Sequence, residues 1–456
     1  MTANSVSDAA DAEARVHAGA NEHVKIGVFD IDGLLRGKFM HRDKFSHALR
    51  EGFGFCDVVL GWDSDDQLYD NASLTGWESG FPDAQVRVLP ETGRQIPFED
   101  NRWMFLAEFS GAAEAVCPRA VLRRVLHRAD KMGYRVNAAL EYEFFVFEET
   151  PHSVRDKHYR DLRPVAPGNT GYSLLRAGGL SEFYSDILDT CTAMDIPLEG
   201  LHEETGPGVI EAAITVTDGL AAADRAALFK TMIKILAQRH GLLATFMAKW
   251  SQQQPGQSGH IHLSLQAKQD GAAVFHAPDS DNNISDAMRF FVGGQQNLMP
   301  EFIALAAPTV NSYRRLVPGL WAPTEASWGI DNRTCALRVI PGAAKSQRVE
   351  YRLPGADANP YLALAGALAS GLYGIEQEIE PTAPIAGNAY EAELPRELSL
   401  PRSLGDAAAK FSQSRIARDW FGDTFVDHFA ATRDWEVRSF RKHVSDWELA
   451  RYFELI

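Results

Sequence analysis

The stretch Asn137-Ala-Ala-Leu-Glu-Tyr-Glu-Phe-Phe-Val-Phe147 is rich in aromatic and branched side chains and holds neither Gly nor Pro. That is the composition of a β-strand. Side chains alternate between the faces of a strand, so Glu141 and Glu143 share one face. Two carboxylates on one face of an apolar strand repel each other and resist burial. A hard divalent ion such as Mg²⁺ or Mn²⁺ takes oxygen ligands and neutralises both. Taken alone, the pair favours a sheet face open to water.

Further strands repeat the pattern. Val209–Val216 carries Glu211, with His202-Glu203 upstream across Thr205-Gly-Pro-Gly208. Ser258–Leu265 alternates cleanly, with His260, His262 and Ser264 on one face and Ile261, Leu263 and Leu265 on the other. Cys335–Ile340 carries Arg338 and follows Asn332-Arg333, and Val349–Leu353 places Glu350 and Arg352 on one face. Each strand alone could belong to a sheet with one wet face. Their joint content suits a cavity in which carboxylates hold divalent ions and arginines clamp phosphate or carboxylate.

Length and charge bound the reading. A chain of 456 residues exceeds one ordinary core, so two domains are expected. The net charge of −16 argues against a nucleic-acid partner. Cys56, Cys117, Cys191 and Cys335 are scattered, as in reduced cytoplasmic proteins. No apolar run is long enough to span a bilayer, and no export signal opens the chain. Residues 1–22 read as a flexible tail or short exposed helix. Strands start at His23, and Asp32-Gly33 marks a hairpin. The acidic run Asp63–Asp66 reads as a solvated loop. Pro118 opens a helix that Gly133 ends. Asp186–Met194 and Ala221–Arg239 read as further helices. The domain boundary is placed at about Ser110.

From residue 23 onward the chain resembles the glutamine synthetase superfamily, in its γ-glutamyl-amine synthetase-like branch. The motifs are Asp32-Gly-Leu-Leu-Arg-Gly-Lys38, Glu141-Tyr-Glu-Phe-Phe145, His202-Glu203 with Glu211, Gly256-Gln-Ser-Gly-His-Ile-His-Leu-Ser264, Asn311-Ser-Tyr-Arg-Arg-Leu-Val-Pro-Gly319, Asn332-Arg333 and Arg348-Val-Glu-Tyr-Arg-Leu-Pro354. The resemblance implies an α+β protein: a small β-grasp domain (23–110) and a large catalytic domain (111–456) with a curved antiparallel sheet flanked by helices. It further implies a homo-oligomer, a hexameric ring or stacked dodecamer, with active sites between subunits. One divalent ion (Mg²⁺ or Mn²⁺) would sit on Glu143, Glu203 and Glu211, and a second on Glu141, His260 and Glu350. Arg315, Arg352 and the Gly256 backbone would bind glutamate. Arg333 and Arg338, with Ser264 and Lys345, would bind ATP phosphates. No Gly-x-x-x-x-Gly-Lys-Ser/Thr loop is present.

Two departures bear on the amine. Glutamine synthetases carry a glutamate two residues after the Arg-Leu-Val-Pro-Gly motif, on a flap that helps bind ammonium; here that position is Trp321. The family's Asp-Gly-Ser-Ser motif is absent, and Asp63 is the substitute chosen for its aspartate. Tyr172 matches a family position beside the amine, and Tyr390 reads as a surface tyrosine. An aromatic face in place of a carboxylate favours an organic amine over ammonium. The expected activity is therefore ATP-dependent formation of a γ-glutamyl amide from glutamate and an organic amine, through a γ-glutamyl phosphate. The alternatives are an ordinary ammonia-using glutamine synthetase and a non-catalytic relative.

Overall fold

The alternating and periodic patterns become two sheets and a helical layer in a computed structural model that describes residues 6–456. The first sheet is built from β1 (His23–Phe29), β2 (Leu35–His41), β3 (Phe53–Cys56), β4 (Asp83–Val88), β5 (Arg94–Ile96) and β6 (Arg102–Phe109). Its order is β2-β1-β6-β4-β3, with β5 on β6. The turn at Asp32-Gly33 joins β1 and β2 as an antiparallel pair, while β1 and β6 run parallel. Gly33 takes φ +80° there, and a Cβ on it would crowd Asn359 at 3.2 Å.

Of the two readings of the N-terminal segment the helix holds, though it is not wholly exposed. Ala9–Ala18 forms a helix capped by the Asp8 side chain, and its Ala12 and Val16 are buried. These two residues lie one turn apart, so they form a stripe that packs on the helix Arg42–Glu51. A stripe this narrow hardly registers in a segment otherwise rich in Ala and acids. Residues 1–5 of that tail lie outside the described residues.

The second sheet holds β7 (Tyr134–Phe147), β8 (Leu198–Glu203), β9 (Val209–Ile214), β10 (Thr217–Asp218), β11 (Leu243–Thr245), β12 (Gly259–Ala267), β13 (Trp328–Ile330), β14 (Leu337–Ile340) and β15 (Arg348–Tyr351). The order is β13-β14-β15-β12-β7-β9-β8, with β10 and β11 also on β7. All pairs are antiparallel except β13/β14. The strand first quoted is thus central. Its even-numbered residues Ala138, Leu140, Tyr142, Phe144 and Val146 face the main core, which the helices cover. Helix Pro360–Glu376 lies against helices Asp286–Ala306, Pro118–Lys131 and Gly219–Arg239. Its contact with Asp286–Ala306 is backbone-close, since a Cβ on Gly294 would sit 2.2 Å from the Ser370 carbonyl. With one face sealed by helices, the other face of β7 is left for polar residues. Among the described residues no helix is long and apolar enough to cross a membrane.

Candidate active site

Strand register assembles the site. On β7, Glu141 stands opposite His260 of β12, and Glu143 stands opposite Glu211 of β9. His262 pairs with Glu350 of β15, which pairs in turn with Arg338 of β14. His202 of β8 faces Glu211. Residues directly opposite in antiparallel strands point to the same side, so these groups converge on one face.

Two sub-clusters result. In the first, His260 Nδ1 lies 2.8 Å from Glu141 Oε1 and 3.4 Å from Glu350 Oε1, and His262 Nε2 lies 3.4 Å from Glu141 Oε2. In the second, His202 Nε2 lies 3.4 Å from Glu204 Oε2 and 3.9 Å from Glu211 Oε1. Glu141, His262 and Glu350, and separately His202, Glu204 and Glu211, each offer donor atoms within 4.8 Å of one another. Burial, together with the charges of Glu141 and Glu143, pushes the Glu211 carboxyl up to about 9. Burial acts upward on Glu350 as well, but His260 and Arg352 outweigh it and hold that carboxyl at about 2. Burial acts upward on half-buried Glu141 too, but its bonds to His260 and His262 carry it well below the usual carboxylate range. His260 Nε2 is buried with no partner among the described residues. Crowded carboxylates beside an unpartnered ring nitrogen form a donor set that fits hard or borderline divalent ions.

Arginines border this cluster. Arg338 Nη1 donates to Glu350 Oε2 at 2.8 Å, and Arg352 Nη1 donates to Glu350 Oε1. Buried Arg315 donates to Leu353 O (2.9 Å), Ser258 Oγ (2.9 Å) and Arg352 O (3.2 Å). Gly256 touches the Arg315 stem: a Cβ there would come within 2.5 Å of Arg315 Cγ. Ser264 and Lys345 line a cavity of about 310 Å³ with Glu141, His262 and Arg348. Arg348 Nε donates to His262 Nδ1 at 3.2 Å. Arg333 is exposed. The Tyr172 ring stacks on His202 with centroids 4.6 Å apart and planes 5° apart. Its hydroxyl is pushed up by burial and by the charges of Glu204 and Glu211, with Arg333 acting in the opposite sense. Trp321 is 57 % exposed in the loop after the helix Ser312–Arg315, at φ +59°.

Residues 115–452 match the family described as "Glutamine synthetase, catalytic domain". This chain belongs to the glutamine synthetase family. It is 43% identical over 438 residues to "Type-1 glutamine synthetase 2" of Dictyostelium discoideum, covering 95% of this chain and 84% of that one. It is 37% identical to "Glutamate--isopropylamine ligase" of a Pseudomonas species, over 95% of each. It is 38% identical to a "Gamma-glutamylethanolamide synthetase" of Streptomyces coelicolor, over 97% of this chain and 94% of that one. A solved structure described as "Apo GmaS without ligand" superposes with a TM-score of 0.83 at 26% identity, over 97% of this chain and 99% of that one.

Within this glutamine synthetase fold, Glu141, Glu143, Glu211, His260 and Glu350 meet on one face, with Arg338 and Arg352 beside them. Glu203 does not join them. It pairs with Ile210, whose side chain faces the core, and its Oε1 accepts from Tyr184 at 3.3 Å. The neighbour Glu204 takes the site side, because a one-residue step reverses the face. Asp63 is not brought there either. Its Oδ1 caps a local turn, accepting from Asp65 N (2.9 Å) and Gln67 N (2.8 Å), and it lines a different cavity. Tyr390 is half-buried; its hydroxyl donates to Ala322 O at 3.2 Å, beside Trp321. Sequence reading gave no role to His202, Glu204, His262 or Arg348. The shared face of His260 and His262 was a usable signal, as was the alternation of Arg348, Glu350 and Arg352.

Proposed function

We propose that this chain is an ATP-dependent ligase that joins the γ-carboxyl of L-glutamate to an organic amine. The observation that carries this reading is Trp321. The flap position that holds a glutamate in ammonia-using members carries an indole here, while the carboxylate, histidine and arginine groups are retained. The names of the Pseudomonas and Streptomyces relatives support an organic amine.

Divalent ions, Mg²⁺ or Mn²⁺, would be held by Glu141, His260, His262 and Glu350 and by Glu143, Glu204, Glu211 and His202, and would neutralise the phosphate oxygens. Arg333 and Arg338, with Ser264 and Lys345, would bind the ATP phosphates, and Arg315, Arg352 and the Gly256 backbone would bind glutamate. The γ-carboxylate of glutamate attacks the γ-phosphorus of ATP; ADP leaves, and an acyl phosphate forms. Arg338 and Arg352 spread the transferred charge. The amine must be neutral to attack. The alkylammonium gives up a proton before it attacks, and Trp321 covers its apolar part. Attack on the acyl carbonyl then expels phosphate and leaves the amide.

Residues 23–110 would form a β-grasp domain and 111–456 the catalytic domain. The separate sheet formed by the strands of residues 23–109 supports that division. The enzyme would work in the cytoplasm as a ring-shaped homo-oligomer in which Asp63 approaches a neighbouring subunit's site. The test is phosphate release with ATP, glutamate and Mg²⁺ or Mn²⁺, across ammonium and a panel of mono-, di- and polyamines. Turnover with one amine class and almost none with ammonium supports the proposal. Efficient turnover at low ammonium would establish the second reading, ordinary glutamine synthetase, which the name of the Dictyostelium relative favours.

A further inference from the structure

The chain between Thr382 and Ser399 ties down two separate stretches that border the site. It fixes the turn that bears Arg333: Asn332 Nδ2 donates to Ile385 O at 3.1 Å and to Gly387 O at 2.8 Å, and Ala389 N donates to Thr334 Oγ1 at 2.9 Å. Ile385 N donates to Trp328 O at 2.9 Å as well. Further along it fixes the chain that follows Trp321. There Ala326 N donates to Leu398 O at 2.9 Å, and Glu325 forms an antiparallel bridge with Ser399. Tyr390 stands between these anchorages, its own amide donating to Asn388 Oδ1 at 3.1 Å.

The Tyr390 side chain reaches from this segment to the loop 317–325. Its hydroxyl donates to Ala322 O at 3.2 Å. Burial pushes that hydroxyl up, while Arg352, Arg315 and the Trp321 amide act on it in the opposite sense. The hydroxyl is thus shared between the arginines of the site and the loop that carries the indole. Ala322 is buried, whereas Leu320 and Trp321 beside it are exposed. Trp321 takes φ +59°, a left-handed conformation that bulky side chains rarely adopt. Such a conformation persists only where the surrounding contacts hold it. The Tyr390 bond falls on the very next residue.

We propose that Tyr390 is a positioning residue: its hydroxyl latches the loop 317–325 onto the segment 382–399 and so fixes the Trp321 indole over the amine. This role rests on the reading of Trp321 as the residue that meets the amine. Tyr390 touches no reacting atom and acts through Ala322 and Trp321. The Arg333 turn is fastened by Asn332, Thr334 and backbone groups and not by the Tyr390 ring, so ATP binding should not feel the loss of the hydroxyl.

Tyr390→Phe keeps the ring and removes the hydroxyl. Hydrogen exchange of the full chain should become about fivefold faster in peptides covering 317–325 and stay unchanged in those covering 328–335, since one hydrogen bond is lost. Steady-state assays should show the KM for the nucleophile raised by about threefold or more, with kcat and the ATP KM within about twofold of wild type. In a Trp321→Ala background, Tyr390→Phe should raise that KM no further, because the side chain it positions is gone. Unchanged exchange in 317–325 would overturn the latch. An equal rise in both KM values, or the same rise in the Trp321→Ala background, would reduce Tyr390 to a packing residue. Exchange is read without substrate, so it judges the latch whichever nucleophile the enzyme uses; efficient turnover of ammonium would overturn the organic-amine reading alone.

Discussion

In the proposed reading, Trp321 puts an aromatic face where ammonia-using members carry a glutamate. Trp321→Glu should therefore raise kcat/KM for ammonium relative to the preferred amine by about tenfold or more, a shift of roughly 1.4 kcal/mol in relative barrier height. Parallel steady-state assays with the two nucleophiles measure that ratio, and an unchanged ratio would reduce Trp321 to a packing residue. Glu203 and Glu204 give a sharper contrast, because the adjacent carboxylates at the end of β8 point to opposite sides. Glu204→Gln should weaken Mn²⁺ binding by at least about tenfold, the scale seen when even outer partners of metal ligands are changed. Glu203→Gln keeps the Tyr184 contact and should leave Mn²⁺ affinity within about twofold of wild type. Metal titrations of the two variants decide which glutamate serves the site.

At the scale of elements, the site depends on how strands and helices are held together. Gly256 lies against Arg315, the terminal residue of the short helix Ser312–Arg315. Gly256→Ala must displace the arginine stem, so KM for glutamate should rise by about tenfold or more while the ATP KM changes little. Helix Asp423–Phe440 buries His428, whose imidazole is pushed down to about 4 by burial, with Arg433 adding repulsion. The unfolded chain binds a proton at an ordinary histidine pKa of about 6.5, so between pH 6.5 and 4 it is the state that takes up more protons. Stability conferred by the neutral imidazole is thus fully present above pH 6.5 and falls with pH through that window, by on the order of 3 kcal/mol. His428→Leu should flatten this part of the stability curve. Denaturant unfolding at pH 7, 6, 5 and 4 would show it, and an unchanged slope would assign the acid sensitivity to other groups.

Across the whole molecule, one buried arginine ties the first sheet to the helical layer. Arg119 donates from Nη1 to Glu108 Oε2 on β6 at 2.8 Å, and from Nε and Nη2 to Asp224 at 2.9 and 3.0 Å. Tyr361 OH also donates to Asp224, at 2.7 Å. Arg119→Met leaves two carboxylates short of charge and should cost on the order of 3–5 kcal/mol in denaturant unfolding. Much of this protein was legible in the chain alone. Strand alternation marked β7, β9, β12 and β15 and put Glu141 with Glu143 and Glu350 with Arg352, because the side-chain period of a strand is a local property. The family motifs added the order of the site. Local pattern could not distinguish Glu203 from Glu204, since the choice of face depends on the register of β8 against β9 across the Gly206–Gly208 turn. It also missed the buried stripe of the first helix and the bond between Tyr390 and the loop of Trp321. Each of these joins residues far apart in sequence, and burial and distance between them exist only once the chain has folded.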